Sequence, residues 1–173
     1  MTGLFTIGPN DVQVALVLFS DVATVEWGLT QYWDKASLIN AIRNVPYTGE
    51  RTNLNHALNL TWSDVFAPGR GTRQDAKKVT IILTDGEDNV PFEGTPLTLE
   101  NARRCKSDGI RLIAVGVSNM TDRSRLMQIA SSPSDFHPVN NFTALQSIVD
   151  DLTQQICATP ATTSIVTHST YTY

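Results

Sequence analysis

Three short apolar segments constrain the fold of this chain most strongly, since each has the length of a strand and helical patterns separate them. They are VQVALVLF at Val12–Phe19, KVTIILT at Lys78–Thr84 and RLIAVGV at Arg111–Val117. Nearly continuous aliphatic runs of this length are typical of strands that are buried on both faces of a parallel sheet. We therefore expect these segments to form the centre of an α/β sheet.

The rest of the chain supplies helices and two further strands. A strand at Ala23–Leu29 follows the first after only three residues, which favours an antiparallel hairpin. The last strand is predicted at Phe136–Val139. Apolar residues at helical spacing predict helices that begin at Asp34 and cover Asn53–Phe66, Leu97–Ser107, Asp122–Ala130 and Phe142–Ile156. This order predicts a doubly wound, mostly parallel α/β sheet with one antiparallel edge strand.

Length and charge exclude several classes of protein. A chain of 173 residues fits one domain with a real core. Its net charge of −4 gives none of the basic excess of nucleic-acid-binding proteins. No apolar run approaches the roughly 18 residues of a membrane span, and no signal peptide is recognisable at Met1.

The end of the chain differs from the rest in composition. Half of the sixteen residues from 158 to 173 are Ser or Thr, and they show no apolar period. We interpret residues 1–157 as the domain and residues 158–173 as a Ser/Thr-rich flexible tail.

Carboxylates follow one of the buried strands directly. Asp85, Glu87 and Asp88 come just after the strand that ends at Thr84, where open α/β sheets bind ligands. Oxygen donors without thiolates suit hard cations such as Mg²⁺, Mn²⁺ or Ca²⁺. The alternative is an ordinary solvated acidic turn.

These segments, in this order from about Ile7 to Cys157, resemble the von Willebrand factor type A (vWA) domain. The most specific parts are Thr-Asp-Gly at Thr84–Gly86 and the Gly-x-x-Thr-Asn that ends at Asn53. The resemblance implies a doubly wound α/β fold, in agreement with the pattern of strands and helices.

The resemblance also implies a metal-ion-dependent adhesion site (MIDAS), which many members of the family carry. Its threonine corresponds to Thr52 and its second aspartate loop to Asp85. The Asp-x-Ser-x-Ser loop that follows the family's first strand does not occur in this sequence. We therefore expect an incomplete, impaired site that binds a divalent cation, Mg²⁺ or Mn²⁺, only weakly.

The first strand of the family is missing along with that loop. It would normally lie in the middle of the sheet, between the strands that begin near Val12 and Lys78. Unpaired backbone groups there would cost roughly 1–3 kcal/mol each, so the gap needs an explanation. The chain is a fragment of a longer protein, the two strands close up on each other, or a partner supplies a strand. We favour the first.

The sequence contains candidates for a disulfide and for N-glycosylation, both of which are typical of secreted proteins. In extracellular members of the family, a cysteine such as Cys157 often pairs with one before the first strand, so Cys157 is a disulfide candidate; its pairing with Cys105 stays open. Asn119 and Asn141 begin glycosylation sequons and are candidates for modification. A third sequon, at Asn59, falls in the middle of a predicted helix.

The sequence therefore predicts a non-enzymatic protein-binding module of an extracellular matrix or cell-surface adhesion protein, cut from a longer precursor. Its expected ligand is collagen or another matrix or surface protein. The alternative is an intracellular vWA scaffold within a multiprotein complex. An enzyme that uses Asp85 or Glu87 for acid–base chemistry is the least favoured alternative.

Overall fold

A computed structural model describes residues 5–46, 51–85, 94–117, 121–141, 144–157 and 163–169. The elements run in the order β1 (Gln13–Phe19), β2 (Ala23–Trp27), α1 (Lys35–Arg43), α2 (Leu54–Leu60), β3 (Lys77–Thr84), α3 (Gly94–Ser107), β4 (Ile110–Val117), α4 (Arg123–Ile129), β5 (Phe136–Val139), α5 (Leu145–Cys157) and β6 (Thr163–Ser169). A π-helical turn, Thr61–Val65, continues α2, and a 3₁₀ turn, Pro133–Asp135, precedes β5.

The strands form one sheet in the order β2-β1-β6-β3-β4-β5. β1 and β2 are antiparallel, whereas each of the other neighbouring pairs is parallel. This confirms the predicted mostly parallel sheet with an antiparallel strand at one edge.

Two apolar cores cover the two faces of the sheet. One face packs on α2, α3 and α4, and its fully buried members include Phe19, Leu58 and Ile129. The other packs on α1 and α5, through Leu38 and Leu152 among others. Since successive residues of a strand point to opposite faces, the aliphatic runs of β1 and β4 serve both cores. The fold is therefore doubly wound, as predicted.

Local sequence signals set the ends of several helices. Asp34 caps α1 by accepting a hydrogen bond from the Ser37 amide at 2.9 Å. Asp122 caps α4 in the same way, because its Oδ1 accepts a hydrogen bond from the Arg125 amide at 3.0 Å. Gly109 follows α3 with a positive φ of 75°, a conformation that suits glycine at the end of a helix. In the described part of the chain no helix is both long enough and apolar enough to cross a bilayer.

The prediction of a flexible tail is wrong for Thr163–Ser169. These residues form β6, which lies between β1 and β3 and is parallel to both. Ser164 is aligned with Gln13 on one side and with Lys78 on the other. β6 thus occupies the place that the resemblance assigns to the missing first strand.

β6 also excludes one of the three explanations for the gap. β1 and β3 do not close up on each other, because β6 separates them. The strand comes from the same chain, a source that none of the three explanations included. The Ser/Thr-rich sequence gives no periodic signal for a strand, so the pairing is set by the unsatisfied donors and acceptors of the two neighbours. The expectation that the chain is a fragment stays a prediction.

Candidate functional site at the carboxyl edge of the sheet

The parallel strands bring the predicted site residues to one edge. β1 ends before Ser20 and Asp21, and β3 ends at Thr84, which Asp85 follows. β6 ends between them, since Ser169 is aligned with Leu18 of β1 and Leu83 of β3. With neighbouring strands about 4.8 Å apart, β1 and β3 are separated by roughly 10 Å.

Two hydrogen bonds from Asn53 join the loop that contains Thr52 to the end of β1. Its backbone amide donates to the carbonyl oxygen of Ser20 at 2.8 Å, and its side-chain Nδ2 donates to the carbonyl oxygen of Asp21 at 2.9 Å. Thr52 is therefore held at the same edge and is itself buried. Asp85 lies on the other side of β6, half-buried at the end of β3.

His56 supports the same loops from α2. Its Nδ1 accepts a hydrogen bond from the Ala23 amide at 2.9 Å, which fixes the ring proton on Nε2 in the neutral ring. Its backbone amide donates to Oδ1 of Asn53 at 2.9 Å, which caps α2. No motif in the sequence indicates this link from His56 to the start of β2.

One ion pair is exposed at this edge. The carboxylate of Asp21 lies 3.8 Å from the guanidinium of Arg51, and both side chains are about half exposed. Next to Asp21, the apolar side chain of Val22 is 60% exposed. The edge thus exposes both charged and apolar groups.

The donor set fits a divalent cation only in part. Thr52 and Asp85 supply oxygen donors, the kind that Mg²⁺ and Mn²⁺ prefer. Among the described residues, however, no three His, Cys, Asp or Glu side chains cluster closely enough to hold a metal. The segment that supplies β6 adds no carboxylate, because residues 158–173 contain neither Asp nor Glu. Glu87 and Asp88 lie outside the described residues.

The glycosylation candidates have different surroundings. Asn141 is exposed, and its Oδ1 accepts a hydrogen bond from the Ala144 amide at 2.9 Å, which leaves Nδ2 for a glycan. Asn119 lies outside the described residues. In the third sequon, the Thr61 hydroxyl is fully buried and donates to the carbonyl oxygen of Ala57 at 2.8 Å, so Asn59 is a poor acceptor.

The two cysteines, Cys105 and Cys157, lie in different parts of the fold. Cys105 is a free thiol, fully buried in the first core, and its Sγ lies 3.6 Å from the carbonyl oxygen of Leu58. Burial raises the pKa of the Cys105 thiol to about 12, with a smaller contribution from the carboxylate of Asp108. Cys157 is the last residue of α5, and its side chain lies outside the described part of the structure.

Proteins of known name resemble this chain along most of its length. Collagen alpha-1(XII) of the newt Notophthalmus viridescens is 36% identical over 156 residues, which are 89% of this chain and 16% of that protein. Human collagen alpha-6(VI) is 34% identical over 88% of this chain and 6% of its own length. Mouse matrilin-1 is 32% identical over 87% of this chain and 30% of its own length. The chain thus spans less than a third of each of these relatives.

Solved structures agree with the fold. Proximal thread matrix protein 1 from the mussel byssus, in a structure with a zinc-occupied MIDAS motif, superposes with a TM-score of 0.78 at 31% identity. That match covers 88% of this chain and 36% of the mussel chain. Manganese-loaded TRAP protein of Plasmodium vivax gives a TM-score of 0.67 at 20% identity, over 86% of this chain and 61% of that one, and supports the fold alone.

The family model of the von Willebrand factor type A domain matches residues 1–151. This match agrees with the order of the strands, with the helices on both faces and with the relatives above. The chain therefore belongs to the von Willebrand factor type A domain family.

Proposed function

We propose that this chain is a non-enzymatic protein-binding module of an extracellular matrix protein and that it meets its ligand at the carboxyl edge of the sheet. The observation that carries the proposal is its similarity to collagens, a matrilin and a thread matrix protein, all of them matrix proteins. The ligand is a matrix or cell-surface protein, with collagen the first candidate.

The character of the edge supports a protein ligand. Asp21 and Arg51 present opposite charges at the surface, and Val22 adds an exposed apolar side chain. The side chains of Asn53 and His56 hold the underlying loops in place through hydrogen bonds with backbone groups of Asp21 and Ala23. An apolar contact within a polar rim, on a preorganised loop, is the usual composition of a protein-binding surface.

A divalent cation has a minor role in this proposal. Thr52 and Asp85 would hold Mg²⁺ or Mn²⁺, and the cation would offer a coordination position to an acidic group of the ligand. Without a carboxylate from the middle of the sheet, the site is impaired and the cation is bound weakly. Ligand binding therefore depends on the protein surface rather than on metal.

We also propose an extracellular or cell-surface location, as part of a longer, secreted precursor. The matrix relatives support it, and so does the exposed sequon at Asn141. Cys157 stays a candidate for a disulfide with a cysteine elsewhere in the longer protein.

The test is binding of the chain to immobilised fibrillar collagen, measured by surface plasmon resonance. Val22→Asp puts a charge on the exposed apolar contact and should weaken binding about tenfold, equivalent to about 1.4 kcal/mol. Asp75→Ala is the matched control, because Asp75 is exposed just before β3 at the opposite edge. Asp85→Ala and EDTA should each change the affinity less than about twofold. Full binding by Val22→Asp would contradict the proposed surface, and loss of binding in EDTA would show a working metal site.

A further inference from the structure

An open groove of about 260 Å³ lies between α2 and α3. His56 and Asn59, three residues apart, line the α2 wall, and Leu97, Glu100 and Arg104 line the α3 wall. Residues at these spacings share one face of a helix. The volume is below the roughly 300–1,000 Å³ of sites that enclose a whole small ligand. The groove therefore suits one side chain of a larger partner.

A pair of buried amide side chains fixes the spacing of the two walls. Asn101 of α3 donates from Nδ2 to Oδ1 of Asn55 on α2 at 2.7 Å, and both residues line the groove. Both are buried. Because this bond joins the two helices directly, the groove is preorganised, which reduces the cost of binding.

The α2 wall offers hydrogen-bond donors that nothing in the described structure uses. Nδ1 of His56 accepts from the Ala23 amide at 2.9 Å, so Nε2 carries the proton in the neutral ring. Among the described residues, neither this Nε2 nor the carboxamide of Asn59 makes a hydrogen bond within the chain. Both side chains are half-buried. Two donors on this wall are thus available to a ligand.

Positive charge exceeds negative charge at the α3 wall. The carboxylate of Glu100 lies 3.0 Å from the guanidinium of Arg103 and 3.6 Å from that of Arg104, so two cations share one anion. Arg104 also lies 5.8 Å from the centre of the Trp62 ring, within the range of a cation–π contact. Glu100 is the one acidic residue among the described residues that line the groove. The excess of cations and donors favours a carboxylate, which accepts such bonds strongly.

The groove adjoins the surface that we propose for ligand binding. Ala23, whose amide donates to His56, directly follows the exposed Val22. On the opposite wall Leu97 is 48% exposed near the start of α3. A partner that covers Val22 therefore lies beside the groove.

We propose that the groove between α2 and α3 binds an acidic side chain, Asp or Glu, of the protein ligand. The carboxylate accepts hydrogen bonds from Nε2 of His56, the Asn59 carboxamide and the guanidinium of Arg104, and its methylene carbons lie against Leu97. This inference rests on the proposed protein-binding function. It deepens that function, because it names a second contact and the chemistry of the group that makes it.

A small probe tests the groove without any matrix protein. The ¹⁵N-labelled full chain is titrated with the N-acetyl amide of glutamic acid and, separately, with that of glutamine. NMR follows the side-chain N–H signals of Asn59 and Arg104. We expect a Kd in the millimolar range for the glutamic acid probe, since it supplies a single side chain. The glutamine probe should bind about tenfold more weakly, because hydrogen bonds to a charged acceptor are stronger.

Variants locate the binding. Arg104→Gln should weaken binding of the glutamic acid probe about tenfold and remove its advantage over the glutamine probe. Asn59→Ala removes one donor and should weaken binding about threefold. Arg43→Gln is the matched control, because Arg43 is exposed at the end of α1, which covers the other face of the sheet.

Three results would overturn the proposal. They are the absence of a saturable shift at the groove, equal binding of the two probes, and unchanged binding in Arg104→Gln. Tighter binding of a heparin disaccharide than of the glutamic acid probe would also overturn it, because the groove would then suit a polysaccharide. None of these readouts involves collagen. A chain that binds the probe at the groove but does not bind collagen would count against the collagen ligand alone.

Discussion

The side-chain Nδ2 of Asn53 donates a hydrogen bond to the carbonyl oxygen of Asp21 at 2.9 Å. Its Oδ1 at the same time accepts from the His56 amide at 2.9 Å. One amide thus caps α2 and joins it to the loop after β1, across 32 residues of sequence.

Substitutions at Asn53 should separate these two roles. Asn53→Ala removes both and should lower the free energy of unfolding by about 2 kcal/mol, since a cap contributes about 1 kcal/mol and loss of the bond to the partly buried Asp21 carbonyl costs about 1 more. Asn53→Asp keeps the capping oxygen but cannot donate to Asp21, so it should lose about 1–2 kcal/mol. Urea denaturation measures both. Wild-type stability of Asn53→Asp would show that the bond to Asp21 contributes nothing.

Weak cation binding is the second prediction. Isothermal titration of Mn²⁺ into the chain should show no saturable binding below the millimolar range, because the edge lacks a carboxylate cluster in its described part. Asp85→Ala should leave that titration unchanged. A vWA domain that contains the Asp-x-Ser-x-Ser loop is the positive control. Saturable binding at micromolar Mn²⁺ that disappears in Asp85→Ala would contradict the impaired site.

The third prediction concerns the Cys105 thiol. Its pKa is raised to about 12 by burial, so in a Cys157→Ser background the native protein should resist alkylation near neutral pH. Unfolding in urea should expose it, and mass spectrometry counts the modified thiol. Rapid alkylation of the native protein would contradict the buried position.

The same pKa shift makes stability depend on pH. The folded state holds the thiol proton more tightly than the unfolded chain does, so the contribution of Cys105 is complete below the thiol's ordinary pKa and is lost as pH rises toward about 12. Stability should therefore fall more steeply above about pH 9 in the wild type than in Cys105→Ala. Parallel pH profiles of the two proteins would contradict this.

The ion pair between Arg111 and Asp135 provides the fourth prediction. Asp135 is nearly fully buried, and its Oδ1 accepts from Arg111 at 2.6 and 3.0 Å. Arg111→Ala leaves the buried carboxylate without its cation, although the Ser132 hydroxyl still donates to its Oδ2 at 2.7 Å, and should cost about 2–4 kcal/mol. Arg103→Ala is the matched control, because its pair with Glu100 is exposed and contributes less than about 1 kcal/mol. Equal losses in thermal denaturation would contradict this difference.

Local patterns predicted most of the fold. The aliphatic runs of β1, β3 and β4 indicate buried strands because period and composition are local properties. Asp34 marked the start of α1 for the same reason. The edge that carries Thr52 and Asp85 also follows from the pattern, since the carboxyl ends of parallel strands lie together.

What the sequence did not predict depends on contacts between distant segments. β6 pairs through its backbone, and its Ser/Thr-rich composition carries no periodic signal. The hydrogen bond from Ala23 to His56 spans 33 residues, so no spacing rule reveals it. The cap at Asn53 had a usable signal, because an Asn directly before an apolar helical pattern is a preferred N-cap.

The occupancy of the central slot is tested most directly by hydrogen–deuterium exchange of the backbone amides in the full chain. If β6 completes the sheet, amides of residues 164–169 should be protected to a degree similar to those of β1 and β3. If these amides exchange as fast as those of an unfolded peptide while β1 and β3 stay protected, the chain does not complete its own sheet, and the account is contradicted.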